Sequence, residues 1–217
     1  FIVGIWGESA KATAVLKFFL MSLSGSILML VSIFYLMSMY YTQTGQYSSN
    51  VLDLIEVAHT SGQYQTFWCG LGFFLAFAIK VPLVPFHGWL KDVYTLAPMP
   101  ATIWLSAILS KLGVFGFIRF VGPLFGPVGT EYQPFLLCLA AISVIYPAFL
   151  AIRASDPKTL LAYSSISHLG FVMMGVFSLK PEGASAAVLL SVGHTLASAV
   201  LFYILHLIQE RKGNVDL

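Results

Sequence analysis

Lys80 and Lys111 each sit inside a long apolar run, in AFAIKVPLVPFHGWL and LSAILSKLGVFGF. If those runs cross a membrane, each ammonium occupies a depth where a charge costs at least about 3 kcal/mol on insertion scales, so it is kept for a task. The task open to a buried lysine is proton exchange. Burial and a neighbouring carboxylate act on its proton affinity in opposite senses, so a carboxylate that changes distance can make it release or recapture a proton. Pro82 and Pro85 follow Lys80 closely. Each lacks an N–H and crowds the carbonyl four residues earlier, here those of Ala78 and Val81, so the helix over 67–90 is expected to break between about Ile79 and Val84. Lys80 then stands at the negative end of a half-helix, where a cation is favoured, and interrupted helices with a charge beside the break are how transporters build ion sites. Freed carbonyls there are expected to find water or neighbouring helices. The plainer alternative is a proline kink with a lysine reaching for a headgroup.

Ala107, Ser110 and Val114 share the helix face of Lys111, and Gly113 and Gly116 allow a second helix to come close, enclosing the lysine in protein. A purely structural lysine would instead bond to backbone carbonyls. His168 has Ser164, Ser165 and Gly175 on its helix face, and His194 has Ser191 and Ser198. Imidazole titrates near neutral pH, and hydroxyls or waters beside it can pass protons on. A lone histidine would be read as a packing hydrogen bond; two on successive helices, downstream of two buried lysines, read as a proton relay. His87, beside Trp89 in PFHGWL, is expected at the membrane interface as an anchor as much as a proton carrier.

These residues require helices that cross a bilayer. The chain has 217 residues, 58% hydrophobic and 9% charged, with a mean hydropathy of +0.86; soluble domains carry about 25% charged residues. Apolar runs of about 18 residues or more indicate an all-α polytopic membrane protein, and the alternating segments of a barrel are absent. Full spans are predicted over 17–41, 67–90, 99–120, 134–150, 160–179 and 185–208, with the end of another helix over 1–6: a bundle of about six transmembrane helices plus the end of a seventh. The whole of 1–217 reads as a single bundle and as a fragment of a longer subunit. The polar, acidic stretch 42–66 reads as an extramembrane loop with room for a small amphipathic turn. Lys11, Lys17, Lys91, Arg153, Lys158, Arg211 and Lys212 fall on one side of this arrangement and Arg119 and Lys180 on the other, which orients the first side toward the cytoplasm or matrix. Cys69 and Cys138 lie singly in apolar segments and read as reduced core fillers. Asp156 before Pro157 reads as a helix N-cap. No Walker loop, dinucleotide glycine motif or iron–sulfur cysteine run occurs, and a net charge of +2 without a basic cluster gives no reason to invoke nucleic acid.

KVPLVPFHGWLKDVYTLAPMPATIWLSAILSKLGVFGFIRF and DPKTLLAYSSISHLGFVMMGVFSL, together with FIVGIWGE at the start and VGHTLASAVLFYILHLIQER at the end, resemble the antiporter-like, proton-translocating membrane subunits of respiratory complex I, the chain M or subunit 4 family. The resemblance covers essentially the whole sequence. It implies an inverted-repeat antiporter-like fold in which Lys80 matches the lysine of a broken seventh helix, Lys111 the lysine of the eighth, and His168 and His194 the histidines of the tenth and eleventh. It also implies a horizontal chain of ionisable groups that moves protons while quinone chemistry runs elsewhere. The family's partner glutamate for Lys80 would fall before Phe1, and a further terminal charge after Leu217. Departures occur at 89–94, where WLKDVY stands for WLPDAH, at Ala97-Pro98-Met99-Pro100, and at Asp156-Pro157-Lys158-Thr159; all are at the membrane surface. The expectation is a non-redox subunit of a proton-pumping NADH–quinone oxidoreductase, not itself catalytic, with NAD, FMN, iron–sulfur clusters and quinone held by partner subunits. Its partners would be other membrane subunits, further antiporter-like ones among them, and lipids. It would lie in a bacterial cytoplasmic membrane or, second, an organellar inner membrane. A cation/proton antiporter subunit of the Mrp type, or a membrane subunit of a related hydrogenase, is the alternative.

Overall fold

The computed structural model describes residues 3–4 and 11–212; the helix end expected over 1–6 therefore lies mostly outside the described residues. Helix α1 spans Lys11–Thr44, α2 Val51–Thr60, α3 Gln63–Lys80 and α4 Gly88–Leu96. The long helix α5 runs over Met99–Leu124 and α6 over Gly129–Ile152; α7 spans Pro157–Phe177 and α8 Pro181–Lys212. Five of these (α1, α5, α6, α7 and α8) are long and apolar enough to cross a membrane. With the broken pair α3–α4 they make the expected six. The ends differ from expectation by a few residues at most positions, because hydropathy marks the apolar stretch while the helical ladder continues into polar flanks such as Gln63 and Arg211.

The serines of α1 are satisfied locally. Ser26 and Ser32 of α1 donate to the carbonyls of Ser22 and Leu28 at 2.9 and 3.1 Å, bonds a helix can supply without outside help. Asp156 caps α7 as expected, its carboxylate accepting the Thr159 N–H at 2.7 Å. The 42–66 stretch holds more order than a loop. Asn50 caps α2 by accepting the Leu52 N–H, and Leu54, Val57 and Ala58 bury its apolar face. His59 Nε2 donates to the Pro123 carbonyl at 2.6 Å and fastens α2 to the corner between α5 and α6. That corner turns at Gly126, whose φ of 42° and close approach to the His59 ring admit only glycine.

One end of the bundle gathers the basic residues: Lys17 pairs with Asp92 at 2.7 Å, and Lys158 Nζ donates to the Thr95 carbonyl at 3.3 Å. At the other end Gln63 donates to Glu131 and Gln133 to the Ser178 carbonyl, both at 2.7 Å. The interior divides accordingly. Near the second end Phe117 meets Phe74 and Phe177 edge to face, with Phe77 packed beside them; near the first, Trp89, Tyr94, Ile166 and Phe202 form a separate core. The break between α3 and α4 lies at the seam of the two. Trp89, the neighbour of His87, is 1% exposed and belongs to the core. One cysteine departs from expectation. Cys138 is exposed on α6 whereas Cys69 is buried, because α6 presents most of its apolar surface outward.

Candidate functional site

Lys80 is the last residue of α3. Helix geometry is lost over residues 81–87 and resumes at Gly88, so the expected break is present and reaches about one turn further than Val84. Three of its backbone groups find partners within the protein. The Leu83 N–H donates to the Ala78 carbonyl at 3.0 Å, five residues back. Trp89 Nε1 donates to the Ile79 carbonyl at 2.9 Å, and the Val84 N–H donates to Ser143 Oγ of α6 at 3.0 Å. The Ala78 carbonyl, expected to turn to water or a neighbouring helix, is thus taken within its own segment: proline removed one donor, and a residue one step further along supplied another. Trp89 and Ser143 were not legible as members of the site. Trp89 was named only as the neighbour of His87, and Ser143 is a lone hydroxyl in an apolar span.

The Lys80 Nζ lies 5.6 Å from the centroid of the Phe77 ring, within cation–π range. Among the described residues no carboxylate pairs with it. Its stem packs on α5, where a Cβ at Gly113 would lie 3.1 Å from Lys80 Cβ and 2.6 Å from a Val81 methyl. The glycine foreseen as a thinning of α5 is therefore what lets the break and α5 touch.

Lys111 stands two residues before that contact. Just upstream, α5 widens into a π-helical turn over Leu105–Leu109, and a second such turn covers Phe117–Val121. Turns of this kind cluster at functional sites because they take carbonyls out of the regular ladder. Lys111 Nζ donates to one of them, Ser106, at 2.5 Å, which is the bond a structural lysine would also make. The neighbouring carbonyl, Ala107, accepts from Thr195 Oγ1 of α8 at 3.2 Å. Ser110 Oγ is buried and faces the Tyr94 hydroxyl outside hydrogen-bonding geometry.

His194, next to Thr195, lies within electrostatic reach of both Lys111 and His168. Its Nε2 is buried and without a partner, as is Ser191 Oγ. The rings of His194 and His168 are 5.2 Å apart and tilted by 31°, with the His168 side toward the surface of the described bundle. The serines expected to serve these histidines do not bond to them: Ser198 Oγ donates to the Thr195 carbonyl at 3.2 Å. His87 stands apart from the row, edge-on to Tyr146 at 5.6 Å. The structure therefore brings together Lys80, Lys111, His194 and His168, in that order across α3, α5, α8 and α7. Lys80 packs against α5 two residues from Lys111 in sequence, and His194 couples Lys111 to His168 across helices, an arrangement able to hand a proton or a charge sideways through the layer.

The sequence of residues 1–217 matches the family model described as NADH:quinone oxidoreductase/Mrp antiporter, transmembrane. It is 38% identical over 211 residues to the NADH-ubiquinone oxidoreductase chain 4 of Chondrus crispus, covering 97% of this chain and 41% of that one. To NADH-quinone oxidoreductase subunit M of Escherichia coli K12 it is 35% identical over 222 residues, covering 100% and 43%. A chain of respiratory complex I from Thermus thermophilus superposes with a TM-score of 0.88 at 36% identity, over 99% of this chain and 45% of that one. A chain of the Mrp complex from Dietzia sp. has the same fold, with a TM-score of 0.84 at 21% identity over 98% of this chain and 23% of that one. The chain spans less than half the length of the curated relatives it matches.

Proposed function

We propose, because this chain belongs to the NADH:quinone oxidoreductase/Mrp antiporter transmembrane family, that it forms part of a proton-translocating membrane subunit of an NADH–quinone oxidoreductase. The observation that carries the reading is the row Lys80, Lys111, His194, His168, which runs through four helices across the seam of the bundle. Lys80 faces an aromatic ring and no described carboxylate, so its charge calls for an acidic partner supplied by the rest of the subunit. Movement of that partner would change how readily the lysine yields its proton to Lys111 and onward to the histidines.

Electron transfer would occur elsewhere. NAD, FMN, iron–sulfur clusters and quinone belong in this proposal to partner subunits, with further antiporter-like subunits and lipids around the chain and no role for nucleic acid. Bacterial relatives such as the Escherichia coli subunit M support a bacterial cytoplasmic membrane, and the Chondrus crispus chain 4 keeps an organellar inner membrane as the second choice. The family also includes Mrp antiporters, so exchange of a cation for protons, or a place in a related hydrogenase, is the alternative with the same row of groups.

Lys80→Ala in the full-length subunit, assembled in its complex, tests the reading. Proton uptake by membrane vesicles during NADH oxidation should fall at least about tenfold, given that a charge at this depth is retained for function, while the complex remains assembled. Normal pumping would refute the role; loss of assembly would point to a structural anchor. Sodium dependence of the residual activity would favour the antiporter alternative.

A further inference from the structure

The widened turn of α5 leaves two consecutive carbonyls, and each is taken by a different side chain. Lys111 holds Ser106 from within the same helix, and Thr195 holds Ala107 from across the interface with α8. Thr195 Oγ1 also lies 2.8 Å from the carbonyl of Ser191, its own residue four back. A hydroxyl carries one proton, so the intrahelical bond, common for threonine in membrane helices, and the bond across the interface share it. The intrahelical bond alone would satisfy this side chain. The contact with Ala107 is surplus to that need, and it falls beside the turn that carries Lys111. His194 precedes Thr195 directly and keeps a buried Nε2 without a partner.

We propose that Thr195 is a positioning residue. Its hydroxyl ties α8 to the widened turn and thereby sets the separation between the Lys111 amine and the His194 imidazole, the step from α5 to α8. This rests on the proton path proposed above. A neighbouring hydroxyl, Ser191 Oγ, makes no bond at all, so a buried hydroxyl in this interface does not of itself join the helices.

The test compares Thr195→Val, which keeps the shape and loses the hydroxyl, with Thr195→Ser, which keeps the hydroxyl, both in the assembled complex. Protons moved per electron should fall about threefold to fivefold in Thr195→Val, the order expected for one hydrogen bond, at unchanged complex content. Hydrogen exchange of the amides over 105–111 should quicken by a similar factor. Thr195→Ser should restore both to within about twofold. Unchanged pumping in Thr195→Val overturns the proposal whatever the exchange shows, and an equal fall in both variants overturns it in favour of packing. Lys111→Ala, measured alongside, separates the two levels. If it loses pumping while Thr195→Val does not, only the role of Thr195 fails; if it pumps normally, the path fails and this inference with it.

Discussion

Lys80 ends a helix that stops, whereas Lys111 rides a helix that widens and continues. Around Lys80 three backbone groups at the break are taken by neighbours: the Ala78 carbonyl by Leu83, the Ile79 carbonyl by Trp89, and the Val84 N–H by Ser143. What remains for the ammonium is the face of Phe77. Around Lys111 the π turn sets a carbonyl within reach of the same helix's own lysine. A membrane helix can therefore make room for a cation by interruption, which fixes the backbone and leaves the charge in need of an external anion, or by widening, which supplies an acceptor internally. On this account the first lysine answers to a partner outside the described residues, and the second holds a default position from which it can turn.

The contact that joins the two sites is the first place to break that contrast. Gly113→Ala would set a methyl 2.6 Å from Val81 Cγ2 and 3.1 Å from the Val81 nitrogen. The backbone cannot yield as a side-chain tip would, so the substitution should cost about 3 kcal/mol, read as earlier thermal loss of the subunit from the solubilised complex. Pumping should fall with it, since the break and Lys80 would be pushed from α5. Trp89→Phe is a smaller lesion confined to the Lys80 side. It leaves the Ile79 carbonyl buried without its donor and should cost about 2 kcal/mol by the same thermal assay. Hydrogen exchange should quicken over 81–87 and not over 105–111; exchange rising equally in both stretches would show that the two lysines are held by one structure and not by two.

Much of this was legible in the residues. The apolar runs specified the spans, the prolines specified the break, and Asp156 before Pro157 specified the start of α7, because hydropathy, a missing N–H and a side-chain cap act within a few residues of where they are written. The lysine and histidine types marked the candidate groups through the cost of burying them. What acts across helices was not legible. Trp89 carries an indole that suits an interface or a core equally, and only the fold turns it toward Ile79. Thr195 and Ser143 are single hydroxyls whose partners lie on α5 and in the break. The π turn over Leu105–Leu109 has no signature in LSAIL, a sequence an ordinary helix would accept. His168 and His194 were foreseen as partners of serines on their own helices, yet their rings instead lie beside each other across the interface.

The central claim is that Lys80 gives up and regains a proton, and does not merely hold a charge. Lys80→Arg separates these, because a guanidinium keeps the charge and the length of reach but does not release its proton in proteins. The measurement is protons translocated per electron by the assembled complex in sealed vesicles, with NADH–quinone turnover recorded in the same sample. The account expects Lys80→Arg to assemble and to fall well below the parent in protons per electron. A variant that pumps at the parental ratio would contradict it, leaving Lys80 as a fixed cation in a structural pair.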